Sequence, residues 1–157
     1  MPQYAKETSV SKDRSLAEVE RTLTRYGASG FVYAWSGNDA MIGFVVGNRQ
    51  IRLVIPLPDR NSRQFTHTPE RHFPRSKAQA QEAYEQAVRQ RWRALALYVK
   101  ATLEAIEAGI IQFDDAFLSY TALPDGRTGG QWMQPQIEQV YKTGTMPRLL
   151  PMLTGAE

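Results

Sequence analysis

Two hydrophobic spacings divide the chain. Over 76–107, SKAQAQEAYEQAVRQRWRALALYVKATLEAIE, the residues Tyr84, Val88, Trp92, Leu95, Val99, Thr102, Leu103 and Ile106 fall on one stripe at helical spacing. No glycine or proline interrupts the run, and good helix formers fill it, so one long helix is expected. Ser76 with Gln79 fits a capping box, and Gly109 stands where a left-handed C-terminal cap belongs. Arg89, Arg93 and Lys100 share a different face, with Arg91 on the flank of the stripe.

Between 30 and 55 the spacing drops to two. Strands are expected at about Gly30–Ser36, Ala40–Val46 and Arg49–Ile55, turned by Gly37-Asn38 and Gly47-Asn48 and stopped by Pro56 and Pro58. Two-residue loops would set Tyr33 opposite Ile42, Phe31 opposite Phe44, Phe44 opposite Ile51 and Ile42 opposite Leu53. Phe31, Tyr33, Trp35, Ile42, Phe44, Ile51, Leu53 and Ile55 would then share the face that packs on the long helix. Val32, Ala34, Met41, Gly43, Val45, Gln50, Arg52 and Val54 would form the other, a weakly polar face that is either covered or used. A three-residue loop at Gly37–Asp39 would invert the first strand, because a one-residue slip exchanges the faces.

The flanks are simpler. Residues 1–14 are polar and read as a loose N-terminus. Ser15 and Glu18 fit a capping box for a helix over Leu16–Tyr26, closed by Gly27. After the long helix come a short helix at Phe113–Ser119, a turn at Leu123–Arg127, and a last helix over about Gly130–Lys142 capped by Thr128. Pro135 suggests a later first turn for that helix. The tail MPRLLPMLTGAE is apolar enough to dock on the body or on a neighbour. The pattern specifies an α+β fold: a three-stranded antiparallel β-meander packed on one long α-helix, with smaller N- and C-terminal helices. At 157 residues one domain is expected over 1–157, with its core at 15–108 and a helical extension at 109–157.

Charge sharpens the picture. The net charge is only +3, but residues 49–100 hold eleven basic and four acidic residues, whereas 101–157 hold three and seven. The middle third is therefore the surface for an anionic partner. No cysteine is present, which excludes disulfides and thiolate chemistry. No signal core and no 18-residue apolar run occur, so a soluble cytoplasmic protein without membrane contact is expected.

The connection 57–75, LPDRNSRQFTHTPERHFPR, has no periodicity. It carries Arg60, Arg63, Arg71, Arg75, two histidines, Phe65 and Phe73. Cations interleaved with rings suit a single-stranded nucleic-acid channel, where charge follows phosphates and rings stack on bases. They also suit a solvated loop tacked to the core by its phenylalanines. Arg89, Arg93 and Lys100 could track a phosphate chain, or pair with Glu82, Glu85 and Glu104 for tenths of a kcal/mol each. His67 and His72, without carboxylates nearby, make a poor metal site, and Asp114-Asp115 fits a helix N-terminus better than magnesium. No P-loop, nucleophile elbow or zinc-protease motif is present, so no catalytic residue and no cofactor are assigned.

Two resemblances follow. RQRWRALALYVKATLEAIEAGI, LPDGRT and PQIEQVYKTG-MPRLLP resemble a family of short phage and prophage proteins to which no activity attaches. The helix–meander–long helix order over 15–108 resembles the core of the phage single-strand annealing proteins, the Erf, Red-beta and RecT group. That likeness implies a basic groove for single-stranded DNA, lined by Arg52, Arg60, Arg63, Phe65, Arg71, Arg75, Arg89, Arg93 and Lys100, with annealing and self-association. The alternative expectation is a non-enzymatic interaction module, such as a phage accessory factor or an inhibitor of a host protein.

Overall fold

The computed structural model describes residues 3–146, with side chains from residue 13 onward. The order is α1 (Gln3–Tyr26), β1 (Gly30–Ser36), β2 (Asp39–Val46), β3 (Arg49–Pro56), α2 (Arg63–Thr66), α3 (Lys77–Glu107), α4 (Phe113–Phe117), a 3₁₀ turn (Leu118–Tyr120) and α5 (Gly129–Thr143). The expected α+β architecture is present. α1 differs from expectation by starting near residue 3 rather than Leu16. No glycine or proline lies between Gln3 and Tyr26, and each added turn costs less than nucleating a new helix at Ser15.

The sheet is an antiparallel meander in the order β1-β2-β3. Both loops are two residues long, with left-handed Gly37 and Gly47 at φ 58°. Tyr33 lies opposite Ile42, Phe31 opposite Phe44, and Ile42 opposite Leu53, in the expected register. Ala40, Ile42, Phe44, Ile51, Leu53 and Ile55 are buried on the inward face. They form one cluster with Val19 and Leu23 of α1, Trp92, Ala96, Val99 and Leu103 of α3, and Phe117 of α4. Trp35 departs from expectation: it shares that face but is 70% exposed. Cover from α3 reaches Tyr33, whose ring meets Trp92 edge-on at 5.5 Å, and stops short of the turn.

α3 begins with the expected capping box of Ser76 and Gln79. It ends with Ile110 N donating to Ala105 O and Gly109 N to Ile106 O, a Schellman closure around the left-handed Gly109. α5 also carries a capping box, Thr128 with Gln131, and starts at Gly129 despite Pro135 in its interior. Its first turn lies against the 3₁₀ turn so closely that a Cβ on Gly129 would sit 2.4 Å from the Leu118 carbonyl oxygen.

The two edges of the sheet differ. Along β3, the chain after the 3₁₀ turn adds cover: Ala122 N donates to Gln50 O, and Thr121 bridges Ile51. Along β1, closure of the hairpin on Ser36 and Asp39 turns the backbone groups of Phe31 and Trp35 away from β2. No described segment pairs with that edge. The tail 147–157, expected to dock, lies outside the described residues.

Candidate nucleic-acid interface

α1 and α3 pack side by side through Leu16, Val19 and Leu23, and the polar flanks of the two helices leave a groove. Arg14, Ser15 and Glu18 line it from α1, and Gln86, Arg89, Gln90, Arg93 and Leu97 from α3, around about 480 Å³. Arg89 and Arg93, one helical turn apart, are brought together as expected, and Arg14 joins them from the other helix. Among the described residues Glu18 is the one carboxylate in that lining. Among the described residues neither Arg14 nor Arg93 has an ion-pair or hydrogen-bond partner; both are exposed. Glu85 is buried and accepts from Gln81 Nε2 at 2.7 Å, and both it and Arg89 are engaged in further interactions.

The groove continues past the α3 N-terminus. Gln86 also lines a neighbouring hollow with Arg75, Gln79 and Glu82. Thr68 is shared between that hollow and a third, which holds Arg63, His67 and His72. Arg75 faces the track with part of its charge engaged by the Gln64 and Phe65 carbonyls, each 3.4 Å from Nη1.

Other expected contributors do not converge there. Arg52 lies on the outer face of the sheet, where its Nη2 donates to Gly126 O at 2.6 Å and its Nε is buried without a partner. That carbonyl sits in the turn Leu123–Arg127, where hydrogen bonds from Arg127 hold the Asp125 carboxyl below the ordinary carboxylate range. Arg60 is on the opposite flank of α3, bonded to Gln81 Oε1 and stacked 4.5 Å from the Tyr84 ring centroid. Arg91 shares that flank and donates to Pro56 O. Phe65, expected to stack on bases, is 5% exposed and meets Tyr84 edge-on at 5.6 Å. α2 turns it inward as the anchor of the connection. Phe73, 59% exposed, is the ring the same connection leaves outside. Arg71 and Lys100 are exposed but line none of these hollows.

Sequence reading missed Arg14, Gln86 and Gln90. The helical spacing holds one signal for Arg14: in an unbroken helical stretch it lies one turn before Glu18, on the polar side away from Leu16.

Among the described residues no three histidine or carboxylate side chains gather to hold a metal ion, and Asp114 instead receives Arg49 at 3.1 Å. No described helix is long and apolar enough to cross a membrane. No family model, curated protein or solved structure matches the chain.

Proposed function

We propose that the protein binds single-stranded DNA along the groove between α1 and α3, as a phage- or prophage-type factor that brings complementary strands together. The observation that carries the reading is the convergence of Arg14, Arg89 and Arg93 from two helices on one groove, with one carboxylate, Glu18, among the described residues of its lining. Several guanidinium groups lining one groove suit a chain of phosphodiesters, each neutralised phosphate releasing counterions. The exposed Phe73 near the far end of the track offers a stacking platform. Self-association through the open edge of β1 belongs to the same reading.

The test is a titration of labelled single-stranded and duplex oligonucleotides at two salt concentrations, followed by an annealing assay with complementary strands. Binding that favours single strands and weakens steeply with salt is expected. Arg89→Ala with Arg93→Ala should weaken it and flatten the salt slope by about one for each phosphate that is no longer neutralised. Unchanged binding by the folded double variant removes the groove from the mechanism.

A second reading has its own observation. On the outer face of the sheet, Val32, 54% exposed, and Gly43 line a hollow, and Val54 on the same face is 50% exposed. An interaction module would use that face, and the same titration separates the two, because such a module leaves every oligonucleotide unbound.

A further inference from the structure

The connection between β3 and α3 builds a second site. Arg63, Gln64, His67, Thr68, Pro69 and His72 line a depression of about 510 Å³. We propose that this depression binds a phosphomonoester, either the phosphorylated end of a strand or a free phosphate. The strand-end form rests on the single-strand reading; the free-phosphate form does not.

The chemistry of the lining is that of an anion site. Arg63 and two histidines line the hollow, and no described lining residue is a carboxylate; Glu70, in the same turn, is exposed and outside the lining. A metal would meet the Arg63 cation and only two neutral donors, a poor set. His67 is held by its neighbours: its Nδ1 is 2.8 Å from Thr66 Oγ1, which lies 3.4 Å from the Ser62 carbonyl oxygen. In the doubly protonated ring, Nδ1–H donates to Thr66, Thr66 donates to Ser62, and Nε2–H is left for a ligand.

His72 reaches the same hollow at the expense of its backbone. Its φ is +53°, the one positive value at a non-glycine position among the described residues. The turn that imposes it is tied three times to Thr68. Thr68 N donates to Phe73 O at 2.9 Å, His72 N donates to Thr68 O at 3.1 Å, and Phe73 N donates to Thr68 Oγ1 at 3.0 Å. Left-handed backbone is unfavourable for an L-residue, and such strain persists where surrounding contacts over-determine it. Here it belongs to the turn that brings His72 into the same lining as His67. An arginine and two histidines lining one hollow suit a monoester, whose charge at neutral pH is about −1.5 to −2, better than the single charge of a diester. Connected to the arginine groove through Thr68 and Gln86, the depression would fix which end of a strand enters.

The experiment uses the full chain with three otherwise identical oligonucleotides: 5′-phosphorylated, 3′-phosphorylated and hydroxyl-ended. In parallel, inorganic phosphate is titrated while the histidine ring resonances are followed by NMR. One phosphorylated end should bind about tenfold more tightly than the hydroxyl end, as charge-assisted bonds to a dianion require. His67→Gln with His72→Gly should erase that preference, so that the variant binds all three oligonucleotides alike, and the glycine suits the left-handed position, which protects folding. If no oligonucleotide binds, the strand reading fails separately, and movement of the His67 and His72 resonances by phosphate alone supports the free-phosphate form. Equal binding of all three ends, with resonances that phosphate does not move, overturns the proposal.

Discussion

At the scale of single residues, the positions that matter most are those where a side chain, or its absence, is dictated by what lies within a bond length or two. Gly129 is one. With the Leu118 carbonyl oxygen 2.4 Å from any Cβ, alanine must push the first turn of α5 off the 3₁₀ turn. Gly129→Ala should lower stability by about 1–3 kcal/mol, the usual cost of overpacking, measured by chemical denaturation. Alanine is the better helix former, so a stabilised variant would contradict that close approach. Phe65 and Phe73 show what a sequence withholds at this scale. Both sit in an aperiodic connection beside arginines, and nothing in their spacing says which ring turns inward. The choice is made by Tyr84, a residue of α3 nineteen positions beyond Phe65, whose ring closes over it.

At the scale of elements, the sequence was far more legible. Strict alternation and two Gly-Asn turns specify the meander and its register, because a slip of one residue would expose Ile42 and Phe44. Both capping boxes could be read from local spacing, since a cap involves only residues three apart. Periodicity also placed Arg89 and Arg93 together. It did not place Arg52 and Arg60 apart from them, because that depends on how the sheet and connection wrap α3. The α3 stripe is centred slightly off the expected line: Ala96 is buried, whereas Tyr84, Leu95 and Thr102 are only partly so. Trp92, 1% exposed, is the pivot between α3 and the sheet. Trp92→Ala should cost about 3–5 kcal/mol, lowering the thermal midpoint and loosening both helices, as a near-ultraviolet circular dichroism melt would record. The surface pair of Arg49 and Asp114, with 43% and 61% of their side chains exposed, contributes far less than this core position.

At the scale of the whole molecule, the arginine groove and the exposed valines of the sheet lie apart. The arginine groove lies between α1 and α3, while the outer sheet face carries Val32 and Val54, and Trp35 stands exposed beside the first turn. That separation could not be read from residue order, since Arg52 and Arg93 belong to the same basic third of the chain yet sit on different sides of the fold. If copies associate through β1, Trp35→Pro should reduce the associated fraction seen by light scattering and leave the thermal midpoint near that of the parent. The amide it removes points away from β2 and supports no bond within the sheet. The rim itself, GFVYAWS, contains no acidic or basic side chain. Raising ionic strength would therefore pull two behaviours in opposite directions: oligonucleotide would be shed from the cationic trough, while strand-to-strand joining of copies would persist or strengthen. Salt would then act as a selector between a dispersed, DNA-loaded form and a naked, self-joined one.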